Sequence, residues 1–152
     1  MEGYEHRNIG LERDANKGTI STNPENHQQM VLARKAKIEQ VANQIPLLEV
    51  LGKKDSDTLL IGWGSTEGHL HAAANELGCA LVHFNYINPL PKNTEEVLRQ
   101  YKRIVVCELN SGQFAAYLRS KIEGLHLEQY NEMTAQPFAV DRIVAAVKSN
   151  KN

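Results

Sequence analysis

The feature that narrows the fold most is a strand-like apolar run that breaks into a glycine-rich turn, Leu59-Leu60-Ile61-Gly62-Trp63-Gly64-Ser65-Thr66-Glu67-Gly68. Its unbroken apolarity suits a strand covered on both faces, and the turn leads into a helical pattern. A similar junction returns at Ile104-Val105-Val106-Cys107-Glu108-Leu109-Asn110-Ser111-Gly112-Gln113. Strands separated by helices require right-handed crossovers, so the pattern predicts a three-layer α/β/α domain around a mostly parallel sheet.

The remaining segments fill in that plan. Residues 1–22 are polar and aperiodic and read as an extended N-terminal arm. Asn23 can cap a helix, Pro24 suits its first position, and Glu25 complements its dipole. This arm helix, 23–46, carries Val31, Ile38, Val41 and Ile45 at helical spacing on one face and should stop at Pro46. Residues 47–150 then hold the α/β domain. Leu48 to Leu51 reads as a short edge strand, followed by strands at 58–63, 79–84 and 103–107 and a last one from Leu127 to Tyr130. Helices are expected from about Thr66 to Leu77 with Gly78 as the stop, after a cap at Asn93 or Thr94, through Phe114, Leu118 and Ile122, and after Pro137 with Val140, Ile143, Val144 and Val147 inward.

Composition excludes several function classes. A net charge of -1 gives no bulk attraction to nucleic acid or to an anionic membrane. The apolar runs fall well short of the roughly 18 residues a membrane span needs, and no leader pattern opens the chain. The two cysteines, Cys79 and Cys107, each fall inside an expected strand, too far apart for a CxxC motif. They read as reduced core thiols of a cytoplasmic protein, unable to ligate a cluster by themselves.

Candidate chemistry is sparse. Gly62, Gly64 and Gly68 suggest a phosphate cradle, but the next strand ends His83-Phe84-Asn85 without the acidic residue that would hold a ribose. Ser65 lacks the flanking glycines of a nucleophile elbow, since Trp63 and Glu67 stand there, and reads as a helix cap. His69 and His71 do not face each other on a helix, so no metal set emerges. His83 reads as a satisfied sheet histidine. Glu108, Asn110 and Gln113 gather at a strand's carboxyl end, the working edge of an α/β sheet. Without an adjacent base or nucleophile they suit interface or bracing more than catalysis. Gly64, Ser65 and Thr66 join them as candidates for an interface or ligand edge. No catalytic, cofactor-binding or metal-ligating residue is assigned.

The segments together resemble the C-terminal part of the alpha subunit of 2-oxoacid:acceptor oxidoreductases, in particular the 2-oxoglutarate:ferredoxin type. The resemblance is carried by Gly10-Leu11-Glu12-Arg13-Asp14, then Asn23-Pro24-Glu25-Asn26-His27-Gln28-Gln29-Met30-Val31 with Arg34 and Lys37. Gly62-Trp63-Gly64-Ser65-Thr66, Asn88-Pro89-Leu90-Pro91, Glu108-Leu109-Asn110-Ser111-Gly112-Gln113 and Gln136-Pro137-Phe138 extend it. Arg13 stands where the family often has histidine, and Asn23 where aspartate is common. The arm motif Asn23, Pro24, Asn26 and His27 is the most specific part beside Glu-x-Asn-x-Gly-Gln.

The resemblance implies a transketolase C-terminal-type domain of about five strands, one of them antiparallel, for which Leu48 to Leu51 is the candidate. It also implies a non-catalytic, assembly role, inactive in isolation, within a complex that decarboxylates 2-oxoglutarate on thiamine diphosphate. That complex would pass electrons through iron–sulfur clusters to ferredoxin and release succinyl-CoA from coenzyme A. Its partners would include a thiamine-diphosphate-binding beta subunit, with no role for nucleic acid or membrane. A stand-alone nucleotide- or phosphate-binding domain is the alternative that the glycine-rich turn leaves open.

Overall fold

Leu59, Leu60 and Ile61 of the central strand have no exposed surface at all, which only a sheet sandwiched between two helical layers allows. The computed structural model describes residues 10–149. The opening Met1-Glu2-Gly3 lies outside them. The chain divides into two compact units between Gln44 and Ile45.

In the first unit, α1 (Pro24–Val41) starts where Asn23 accepts a hydrogen bond from the Asn26 amide at 3.0 Å. After Val41 the backbone tightens, with Gln44 N–H donating to Val41 O at 2.9 Å, so Ile45 is outside the helix. The expected single apolar face is therefore shorter than predicted, and none of α1's residues is buried. Residues 10–22, expected to be an extended arm, instead fold back as a hairpin. Arg13 bridges Ile20 in antiparallel fashion, and Asp14 Oδ1 accepts the Asn16 and Lys17 amides in the turn. Polarity and aperiodicity hid this because the hairpin is held by hydrogen bonds rather than by burial.

The second unit runs β1 (Val50–Gly52), β2 (Thr58–Trp63), a 3-10 turn at Gly64–Thr66, α2 (Glu67–Leu77), β3 (Ala80–Phe84), α3 (Thr94–Leu98), β4 (Arg103–Glu108), α4 (Gln113–Lys121), β5 (Glu128–Asn131) and α5 (Val140–Ser149). The sheet order is β1-β3-β2-β4-β5, and only β1, on the edge beside β3, is antiparallel. This is the five-stranded, mostly parallel architecture of the transketolase C-terminal type expected above. Leu59, Ile61, Val82, Ile104 and Val106 meet Leu98, Phe114 and Leu118 on one face. Leu60, Leu81, Val105 and Cys107 meet Leu70, Ile143 and Val144 on the other. Each buried aliphatic side chain of this kind contributes about 1.5–3 kcal/mol.

Two local readings change. Asn93 does not cap α3; its amide donates to Leu48 O at 3.0 Å and its oxygen accepts from Leu48 N at 2.8 Å. It thereby ties the segment before β1 to the sheet. The last helix begins at Val140 rather than at Pro137, with Phe138 already buried ahead of it.

The crossover β2–α2–β3 covers one face and β4–α4–β5 the other, in opposite directions along the sheet. Between the carboxyl ends of β2 and β4 the chain therefore diverges to both sides, leaving a crevice. Close packing at this point needs Gly62, where a Cβ would overlap Leu70 Cδ1 and come within 2.7 Å of Thr66 Oγ1. Gly62→Ala should destabilise the protein by about 1–3 kcal/mol through overpacking. Gly68→Ala, which meets nothing within 4 Å and lies in a helix, should instead be neutral or stabilising by up to about 1 kcal/mol. Thermal melts of the two variants, moving in opposite directions, check the assignment.

Candidate functional site

The carboxyl ends of β2 and β4 bring Gly64, Ser65, Thr66 and Asn110 to one cleft, while Gln113 lines a second one and Glu108 lies buried at the end of β4. At the β4 end Glu108 is fully buried, 0% exposed. Its two oxygens accept the backbone amides of Phe114 at 2.8 Å and Ala115 at 2.9 Å, in the first turn of α4. Trp63 Nε1, at the end of β2, donates to the same carboxylate at 3.4 Å. A negative charge at a helix N-terminus is stabilised by the dipole as well as by the bonds. Asn110 Oδ1 takes the next two donors, accepting the Gly112 amide at 2.8 Å and the Gln113 amide at 3.0 Å.

Gly112 has φ +96°, and a Cβ there would overlap the side-chain amide of Gln129, so the motif's glycine serves both the turn and the neighbouring strand. The Gln113 side chain is exposed.

On the β2 side, Thr66 Oγ1 donates to Trp63 O at 2.9 Å and lies 3.2 Å from Trp63 N, closing the 3-10 turn on itself. Ser65, expected as a helix cap, is exposed within that turn and precedes α2 by two residues. The crevice holds a cleft of about 150 Å³ lined by Trp63, Gly64, Ser65, Thr66, Leu109 and Asn110. A second, more apolar cleft of about 220 Å³ lies on the other side of Trp63, against Ile87, Asn88, Gln113, Phe114 and Tyr117. Phe114 is the hub of the aromatic packing, edge-on to Phe84 at 4.9 Å and stacked on Tyr117 at 6.2 Å.

This geometry decides between ligand chemistries. A phosphate at a helix N-terminus needs unpaired amides, and four successive ones at α4 are already taken by Glu108 and Asn110. Those residues do not fit a diphosphate. Cys79 and Cys107 do not fit a cluster either: both are buried, and the Cys107 thiol is pushed up to about 12 by burial, then by Cys79 and Glu108. Among the described residues no group of three or more His, Cys, Asp and Glu is placed to hold a metal ion. His83 differs from expectation: both ring nitrogens are buried without a protein partner, so the sheet does not satisfy it.

The arm motif forms a separate polar cluster in the first unit. Asn26 donates to Arg13 O at 2.8 Å and accepts from Ala15 N at 3.0 Å, pinning the hairpin to α1. Its centre is Glu12, which receives a two-pronged contact from Arg34, 3.0 and 2.9 Å, and lies 2.8 Å from His27 Nδ1. Arg34, and after it His27, hold the Glu12 carboxyl down to about 2 against the opposing effect of desolvation. Glu12 was not singled out from sequence, although His27 and Arg34 stand two helical turns apart on one side of α1, which is a readable signal for a shared partner. Trp63 was missed because its link to Glu108 spans 45 residues.

Two measurements test these roles. Glu108→Ala strands two buried amides, and at about 1–3 kcal/mol each it should lower the melting temperature strongly; Gln113→Ala should change it little. For Glu12 the folded value lies below the ordinary 4.5, so its contribution is complete above that pH and fades as pH falls toward about 2. Protection factors in residues 12–21, taken against the intrinsic exchange rate at each pH, should therefore hold at pH 5 and fall below pH 4.5, whereas Glu12→Gln should lower them at neutral pH.

No protein-family model matches the chain. The 2-oxoglutarate oxidoreductase subunit KorA of Mycobacterium tuberculosis is 46% identical over 125 residues, covering 78% of this chain and 19% of that protein. The 2-oxoacid:ferredoxin oxidoreductase 1 alpha subunit of Aeropyrum pernix is 28% identical over 142 residues, covering 86% and 22%. The chain thus spans about a fifth of the length of the curated relatives it matches. Among solved structures, the 2-oxoglutarate:ferredoxin oxidoreductase of Magnetococcus marinus, determined with 2-oxoglutarate, coenzyme A and succinyl-CoA bound, matches with a TM-score of 0.83 at 26% identity. That match covers 95% of this chain and 26% of the other. The chain is similar, over most of its own length, to one part of the alpha subunits of 2-oxoacid:ferredoxin oxidoreductases.

Proposed function

We propose that this chain is the C-terminal, non-catalytic assembly domain of the alpha subunit of a thiamine-diphosphate-dependent 2-oxoacid:ferredoxin oxidoreductase. The whole complex would convert 2-oxoglutarate and coenzyme A to succinyl-CoA and pass the electrons to ferredoxin. The observation that carries this reading is the match to the Magnetococcus marinus enzyme over 95% of the chain. The carboxyl-edge geometry supports the non-catalytic part. Glu108 and Asn110 are consumed in bracing α4, which leaves the exposed Gly64, Ser65 and Gln113 as the groups facing a neighbour.

On this reading thiamine diphosphate and the iron–sulfur clusters sit on other domains or on a beta subunit, and this chain supplies neither ligand set. Its arm, arm helix and α/β domain, divided at about residues 22 and 46, would each face other parts of the assembly in the cytoplasm. A stand-alone nucleotide- or phosphate-binding role finds no support at α4, where the needed amides are already paired.

Tagging the chain in its own host and identifying what co-purifies tests the proposal. A thiamine-diphosphate-binding subunit together with a cluster-bearing protein is the expected result, with 2-oxoglutarate-dependent ferredoxin reduction in the recovered assembly and none in the chain alone. Recovery of the chain with a bound nucleotide and no such subunits would overturn it.

A further inference from the structure

Among the described residues of the α/β unit, His83 is the one side chain whose buried polar atoms lack a partner: Nδ1 and Nε2 are both enclosed, and neither meets a hydrogen-bonding group of the protein. A neutral imidazole carries one donor and one acceptor, so both call for a partner. The ring stands on the α2 side of β3, because Leu81, two residues before it, packs in the layer with Leu70 and Ala73 of α2.

His83 lines a cavity of about 190 Å³ that lies wholly within this unit. The β1–β3 pairing, Val50 with Val82 and Leu51 with Leu81, carries on one step to set Glu49 across from His83 on the same face. Glu67, the first residue of α2, and Asn85 line the same space. So do Leu47 and Tyr86, which are 64% and 47% exposed and give the cavity an apolar rim.

This lining selects the chemistry of a ligand. It holds two carboxylates and no lysine or arginine, so an anion is disfavoured. Among the described residues no three His, Cys, Asp or Glu groups converge on a metal position, so a divalent ion lacks a ligand set. An organic cation with several N–H donors and an apolar stem answers each part. One N–H reaches the acceptor nitrogen of His83, the charge lies with Glu49 and Glu67, and the stem runs along Leu47 and Tyr86. The ring's own N–H is left for a carboxylate or for the Asn85 side-chain oxygen. A cavity of about 150 Å³ takes a six-carbon ring, so one of about 190 Å³ has room for such a head group on a short alkyl stem.

We infer that this cavity binds an organic cation, a guanidinium or primary ammonium on a short alkyl stem, through His83, Glu49 and Glu67. The inference goes beyond the function proposed above and stands without it. A free small molecule and a basic side chain of a neighbouring subunit both offer this head group.

The test follows the ring resonances of His83 by NMR, in the full chain at neutral pH, as butylguanidinium, butylammonium or tetramethylammonium is added. The first two should shift them saturably, with a dissociation constant on the order of 1 mM. Tetramethylammonium, which has the charge but no N–H donor, should not. Glu49→Gln and Glu67→Gln, both at exposed positions, should each weaken binding about threefold to fivefold with an unchanged melting temperature. Should one variant melt lower, the other gives the same readout.

No saturable shift with any probe means that the cavity holds solvent only, and overturns the inference. An equal response to tetramethylammonium reduces it to diffuse attraction by carboxylates and overturns it too, as does a shift that both glutamine variants leave unchanged. Given binding, native mass spectrometry of the chain purified from its host separates the two sources. A retained small amine or guanidine assigns a free molecule, and a bare chain that takes the probe assigns the site to a neighbour's basic side chain.

Discussion

The second unit depends on one buried carboxylate. Glu108 ends β4, accepts the Phe114 and Ala115 amides that start α4, and receives the Trp63 indole from the end of β2. A buried charge is tolerable only when its lone pairs are filled, and here the donors come from two segments, the start of α4 and the end of β2, that meet the end of β4. Hydrogen bonds to a charged group contribute about 1.5–3 kcal/mol each, so this carboxylate ties together the chain ends that diverge at the junction. The positive φ of Gly112 lets the chain turn back onto this carboxylate, and its missing Cβ leaves room for Gln129. The aromatic hub at Phe114 follows, because the residue whose amide Glu108 holds is also the one that packs against Phe84.

Much of this fold was legible because the core obeys simple periodicity. Runs such as Leu59 to Ile61 and Ile104 to Cys107 announce strands covered on both faces, and Gly78 stops α2 in the left-handed conformation its residue type suggests. The antiparallel strand near Leu48 to Leu51 was placed to within a residue or two, at Val50–Gly52. Long-range polar pairing was not legible. Asn93 looked like a cap by type and position, yet it bonds the main chain of Leu48, 45 residues away. Thr66, rather than Ser65, closes the turn after β2, a choice set by which hydroxyl the backbone brings to Trp63. The hairpin before α1 escaped for the same reason: Glu12 finds Arg34 across 22 residues, and no local pattern encodes that meeting.

The two units are held by opposite means. The α/β unit buries two continuous apolar layers and uses its carboxyl-edge polar groups to close its own backbone. Among the described residues the first unit buries none and relies on a surface network around Glu12, a carboxylate whose ion pairs are solvated and contribute little to net stability. Such a network fixes shape more than it adds free energy. It sets the hairpin against α1 in one arrangement. The α/β unit thus keeps its shape by burial, and the first unit by directed polar contacts.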